Sequence, residues 1–220
     1  TSSLHAIDNS GQYLNGFPVE LQGIINYGAS IADMDLDGIS DIVVVMQSGI
    51  LHAFGHDGNI KPNFSMSFNS EISTPVTIAD MDGDMDMEMM LGSNDGNIHV
   101  LHHDGSVVSN FYIEGASVDG GLSLGDMDQD GYHEIYFGGP PAAGSNDATW
   151  GTYIFEQSTM GTFPGVATHL LRYGMETADN FRPAGYAMAD LDGDGKIELA
   201  TVDRGGRRLS IDALTGDDLD

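Results

Sequence analysis

Four short segments of this chain set carboxylates at alternate positions, a spacing that can turn several oxygens toward one centre. Counted from its first aspartate, each carries acids at positions 1, 3, 5 and 9. The first has Asp33, Asp35, Asp37 and Asp41, and the second Asp80, Asp82, Asp84 and Glu88. The third has Asp126, Asp128, Asp130 and Glu134, and the fourth Asp190, Asp192, Asp194 and Glu198. Position 7 can add a backbone carbonyl, from Ile39, Asp86, Tyr132 or Lys196, and Gly38, Gly131 and Gly195 at position 6 permit a sharp turn. With Asp86 added, these loops hold 17 of the 34 acidic residues. An all-oxygen set of this kind suits Ca²⁺, with its flexible shell of about six to eight ligands; Mg²⁺ keeps more water, and softer metals take His or Cys. About four calcium ions are expected, one per loop. Like charges this close repel strongly unless a cation sits between them, and no Lys or Arg falls within the first three loops. The second loop is the weakest copy, because Met85 replaces the turn glycine, so strained geometry or altered affinity is expected there. An EF-hand is excluded: its position 12 needs a bidentate Glu beside a helix, and here that position is Val44, Leu91, Phe137 and Thr201, inside predicted strands.

The loops recur with a period. Their starts lie 47, 46 and 64 residues apart. Each follows a short apolar stretch (Ser30-Ile-Ala, Thr77-Ile-Ala, Ser123-Leu-Gly, Ala187-Met-Ala) and precedes an apolar run, the first spanning Ile42 to Met46. A second register agrees: Leu4-His-Ala-Ile, Leu51-His-Ala-Phe and Ile98-His-Val-Leu lie 47 apart, each leading to a turn at Ser10-Gly11, Asp57-Gly58 or Asp104-Gly105. Short apolar runs bounded by Gly, Asn and Asp, without sustained helical periodicity, predict strands. Four strands per unit of about 45 residues is what a propeller blade requires. The predicted fold is all-β, a β-propeller of four-stranded antiparallel blades. A partial unit covers residues 1–28, and repeats cover 29–75, 76–121, 122–184 and 185–220. The third repeat carries about 17 extra residues from Gly138 to Trp150. Residues 12–21 either supply the outer strand of the last unit and close a four-bladed ring, or the chain is a section of a larger propeller.

Composition bounds the function. Seven Lys plus Arg against 34 Asp plus Glu give a formal net charge of −27 over 220 residues. That excludes a nucleic-acid surface, which needs clustered Lys and Arg, and disfavours an anionic membrane. Hydrophobic content of 40% is too high for a disordered acidic tail. No apolar run approaches a membrane span. A chain opening at Thr1 without Met reads as a processed protein or a piece of something longer.

The pattern Asp-x-Asp-x-Asp-Gly-x-x-(Asp/Glu) between two strands resembles the FG-GAP and VCBS repeats of β-propellers, as in the head of integrin α subunits. Phe137-Gly-Gly-Pro is similar to the Phe-Gly-Gly-Ala-Pro run of that family, and Leu14-Asn-Gly-Phe-Pro-Val to a segment of its bacterial and archaeal surface members. The resemblance covers essentially the whole chain. It implies fold and calcium, and leaves function open among adhesins, lectins, lyases and scaffolds.

Other residues add little chemistry. His5, His52 and His99 share one repeat position, as structural residues do, and no zinc or serine-hydrolase motif appears. Trp150, with Tyr153 nearby, either stacks on a sugar ring or anchors the inserted loop. Arg204, Arg207 and Arg208 neutralise an acidic surface or form an interface. The expected role is a calcium-stabilised module at the cell surface or outside the cell, binding a glycan or protein. The alternatives are a subunit of a surface filament or sheath, in which the chain self-assembles, and a propeller-type polysaccharide lyase or hydrolase.

Overall fold

The short apolar runs between acidic loops and glycine turns are strands, and among the described residues there is no helix. The computed structural model describes residues 2–81, 83–112, 117–127, 129–139, 151–155, 169–171, 183–191, 193–203 and 208–211. It opens with a two-stranded antiparallel sheet, β1 (Ser2–Leu4) and β2 (Val19–Leu21). Two four-stranded meanders follow. One is β3 (Ser30–Ala32), β4 (Asp41–Val45), β5 (Ile50–Phe54) and β6 (Ile60–Ser67). The next is β7 (Thr77–Ala79), β8 (Glu88–Gly92), β9 (Asn97–Leu101) and β10 (Val107–Tyr112). A third four-stranded sheet holds β11 (Asp119–Gly125), β12 (Glu134–Gly139), β13 (Gly151–Phe155) and β14 (His169–Leu171). The last has three strands, β15 (Pro183–Ala189), β16 (Glu198–Asp203) and β17 (Arg208–Ile211). Every acidic loop joins the first two strands of its sheet. β2 pairs with β1, Leu4 opposite Val19, so among the described residues the segment 12–21 does not add a strand to the last sheet.

The second strand of each four-stranded sheet is apolar on both faces because both are covered. Side chains alternate across a strand. In β4, Val43 and Val45 pack with Leu51 and Ala53 against Met89, Leu91 and Leu101 of the next sheet. Val44 faces the other way and joins Met46 and Phe54 against Leu4, Phe17 and Leu21 of the preceding one. In the same fashion Met90, Ile98 and Val100 meet Ile135, Phe137 and Phe155, and Tyr136 and Ile154 meet Leu199. Each fully buried side chain of this size is worth about 1.5–3 kcal/mol, and no sheet collects that without its neighbours.

A ladder of hydroxyls crosses these interfaces. Ser30 donates to the Val76 carbonyl at 2.5 Å, Thr77 to that of Leu122 at 2.8 Å, and Ser123 to that of Tyr186 at 2.9 Å. These are the first residues of the short stretches before the first three loops; the fourth has Ala187, which carries no hydroxyl. Residue 2 of each loop follows the same rule. Met34, Met81 and Met127 are at most 4% exposed within the inter-sheet layers, whereas Leu191 in the last sheet is 59% exposed.

The hairpin turns are held by aspartates. Asp8 accepts backbone N–H groups of Ser10 and Gln12, Asp57 that of Asn59, and Asp104 that of Ser106. The main cause differs slightly (backbone bonds for Asp8 and Asp57, the Ser106 hydroxyl for Asp104), and all three carboxyls sit below the ordinary value near 3.8. A lowered folded-state pKa contributes stability that is full above the unfolded value and is lost as pH falls through the folded one.

Two outcomes are expected. Metal-free protein loses stability as pH drops from about 4 toward 2, measured as urea midpoints across that range. Thr77→Val, which keeps shape but leaves the Leu122 carbonyl without its donor, costs about 1–2 kcal/mol in the same assay; an unchanged midpoint argues against the ladder.

Candidate metal centres

The four loops share one backbone design, built from three kinds of hydrogen bond. The carboxylate at position 9 is the first residue of the second strand, so strand pairing fixes where it points. There it is buried and accepts the N–H of position 2: Asp41 from Met34 at 3.2 Å, Glu88 from Met81 at 2.8 Å, Glu134 from Met127 at 2.9 Å, and Glu198 from Leu191 at 2.6 Å. The aspartate at position 1 accepts the N–H of position 6: Asp33 from Gly38 at 2.8 Å, Asp80 from Met85 at 3.1 Å, Asp126 from Gly131 at 3.1 Å, Asp190 from Gly195 at 3.0 Å. The aspartate at position 5 accepts the N–H of position 7, so that Ile39, Asp86, Tyr132 and Lys196 donate to Asp37, Asp84, Asp130 and Asp194 at 2.7–3.0 Å.

This curl needs left-handed backbone twice. Position 6 has φ of 86°, 78°, 93° and 91° at Gly38, Met85, Gly131 and Gly195, as the turn glycines imply. Position 4 is left-handed as well, with φ of 56°, 77°, 61° and 82° at Leu36, Gly83, Gln129 and Gly193. The second requirement escapes a reading built on position 6 alone; its signal is the glycine at position 4 of loops two and four.

In three loops the carboxylates converge. Oxygens of Asp33, Asp35 and Asp37 lie within 4.8 Å of one another, as do those of Asp84, Asp86 and Glu88, and those of Asp126, Asp130 and Glu134. Among the described residues no such group forms in the fourth loop, where Asp190 and Asp194 are exposed and Glu198 is buried. Asp82, Asp128 and Asp192, the expected ligands at position 3 of loops two to four, lie outside the described residues.

The donor chemistry fits a hard cation. Among the described residues, wholly buried carboxylate oxygens without a hydrogen-bond donor occur in three loops: Asp86 Oδ1 in the second, Asp126 Oδ1 in the third and Glu198 Oε1 in the fourth. A buried polar atom left so costs about 1–3 kcal/mol, more when charged, and a metal ion is the partner such an oxygen takes. Asp86 is held above the ordinary carboxylate range by the Asp84 carboxylate beside it, with burial adding to that and His103 opposing it.

Two loops also meet basic side chains from elsewhere in the chain. Lys61, on β6, brings its Nζ to Asp35 Oδ2 at 2.5 Å and Asp41 Oδ1 at 2.9 Å, with Asp37 Oδ2 at 3.9 Å. Burial works against its charge, but the hydrogen bonds to Asp35 and Asp41 outweigh that and raise its pKa; the same bond lowers that of Asp35. Burial pushes the Asp41 carboxyl up, against the pull of Lys61. At the second loop, His103 Nδ1 pairs with Asp86, and His102 Nδ1 lies 3.4 Å from Glu88 Oε1. Sequence spacing misses all three residues, since they follow the loops by many positions and arrive through the sheet.

The remaining expected residues are placed as follows. Tyr153 is 5% exposed and stacks on Phe137, ring centroids 5.3 Å apart, in the layer between the third and fourth sheets, not at a loop rim. Trp150, Arg204 and Arg207 lie outside the described residues. His52 and His99 occupy equivalent places in two grooves between the outer parts of successive sheets, of about 600 and 550 Å³. Glu20, Asn59 and Ser65 line the first groove; Asp95, Asn97 and Asn110 line the second, where Phe68 packs on the His99 ring.

No family model matches the sequence. No curated protein matches it either. Solved structures do. The chain is similar to the Vibrio cholerae biofilm matrix protein Bap1, with TM-score 0.52 and 20% identity over 86% of this chain and 30% of that one. It is also similar to BamB from Moraxella catarrhalis, with TM-score 0.50 and 14% identity over 97% and 71%. The fold is propeller-like. The computationally designed Ika4 protein matches as well, with TM-score 0.56 and 14% identity over 91% of this chain and 98% of the other. The chain thus spans under a third of the length of Bap1.

Met85 tests the loop geometry. It is 77% exposed, so its side chain packs little, yet its backbone is left-handed, which costs a non-glycine residue about 1–2 kcal/mol. Met85→Gly, after the larger entropy glycine brings to the unfolded chain, stabilises metal-free protein by about 0.5–1 kcal/mol. A urea midpoint that falls instead contradicts the assigned curl.

Proposed function

We propose that this chain is a calcium-stabilised β-propeller, or a section of one, that acts outside the cell as a binding module for a glycan or protein. The observation that carries the calcium reading is the set of buried carboxylate oxygens on Asp86, Asp126 and Glu198 that no donor among the described residues meets. Oxygen-only surroundings favour calcium over softer metals. The grooves around His52 and His99 support the binding reading: they repeat with the sheets and offer amide, hydroxyl and carboxylate groups beside an aromatic or imidazole face, a combination suited to polyhydroxylated ligands. The deep negative charge keeps nucleic acid out of the list of partners. Bap1 belongs to a biofilm matrix, and the reading carries an extracellular setting of that kind to this chain. Calcium sites of extracellular modules bind at about 10⁻⁴–10⁻³ M.

At ten times its Kd each site adds about 1.4 kcal/mol to folding, or roughly 3–6 °C in melting midpoint for a chain of this size. The expected result is a midpoint several degrees higher in 5 mM CaCl₂ than in EDTA, with equal MgCl₂ giving little of the gain. Coincident melts in calcium and EDTA sink the metal reading. A glycan array probed with the calcium-loaded chain reads the binding role, and no retention there or on extracellular matrix protein sinks that one.

A further inference from the structure

We infer that the first acidic loop is closed by the Lys61 ammonium in place of a divalent ion, so that calcium belongs to the later loops alone. The inference rests on the calcium reading of those loops and concerns which of the four is an exception.

The four loops are near-identical in sequence and in backbone hydrogen bonding, so their occupancy turns on what else reaches them. Into the first comes one full positive charge. Lys61 lies 2.5 Å from Asp35 and 2.9 Å from Asp41, and its side chain is 14% exposed. Those two carboxylates are the position-3 and position-9 ligands that a calcium would use. Calcium binds its oxygens at about 2.3–2.6 Å, so an ion bound by the same pair would sit within a few ångströms of the ammonium. Two cations that close repel, and one must leave.

The donorless oxygens follow the same division. Loops two, three and four each leave one buried carboxylate oxygen unmet; among the described residues, loop one leaves none. The second loop shows what its neighbour would be without the lysine. The residue one period after Lys61 is Val108, which packs against the apolar layer and brings no charge. Lys196 belongs to the fourth loop but is itself exposed, with its backbone N–H on Asp194. Three carboxylates around one ammonium leave loop one acidic but tied to the adjacent hairpin by a bond that needs no ion from solution. The sheet carrying β3 to β6 therefore holds its first connection closed when calcium is scarce.

The test counts calcium ions per chain by isothermal titration of EDTA-stripped, dialysed protein with CaCl₂. Asp35→Asn in the otherwise unaltered chain leaves the number of bound ions unchanged, while Asp126→Asn lowers it by one. Lys61→Met raises it by one, and adding Asp35→Asn to Lys61→Met removes that gain. Loss of an ion on Asp35→Asn alone overturns the inference, as does a folded Lys61→Met chain that gains none. Should Lys61→Met fold only with calcium, circular dichroism recovered on CaCl₂ addition, and abolished by Asp35→Asn, reports the same new site. A chain that binds no calcium in any loop refutes the general metal reading, and Lys61→Met still decides this one by whether a site appears.

Discussion

Repulsion among carboxylates packed at alternate positions of a nine-residue loop has to be answered four times in this chain, and backbone N–H groups answer much of it before any ion does. The position-1 and position-5 aspartates each take an amide from further round the curl, and the position-9 acid takes the amide of position 2. What the amides leave over differs from loop to loop: a lysine reaches the first, imidazoles lie beside the second, and among the described residues a buried oxygen without a donor remains in each of the second, third and fourth.

The loops are tied to the apolar interior at both ends. Position 2 sends Met34, Met81 and Met127 into the layers between sheets, while the amide of the same residue anchors the buried acid at the head of the following strand. Displacing one such loop therefore disturbs both the clustered carboxylate oxygens and the packing of two sheets. Loop geometry and sheet packing are linked by construction, in a stack whose units meet only their neighbours.

Much of this was legible in the residues. The all-β order of strand, acidic loop and strand emerges as the sequence implied, because it depends on contacts within one unit. Left-handed position 4 was half-visible: Gly83 and Gly193 mark it, but Leu36 and Gln129 adopt the same conformation without the signature. Lys61, His102 and His103 were invisible as loop partners, since their approach is set by strand pairing and not by spacing. Tyr153 illustrates a different limit. An aromatic beside an inserted loop looks like a rim residue until strand alternation turns it inward onto Phe137.

The hydroxyl ladder has a polarity. Ser30, Thr77 and Ser123 all reach forward to a carbonyl in the succeeding sheet, and Ala187 offers nothing onward. Each of the three later sheets thus takes a hydroxyl from the one before it, and the Ala187 flank, beside the exposed Leu191, has none to pass on.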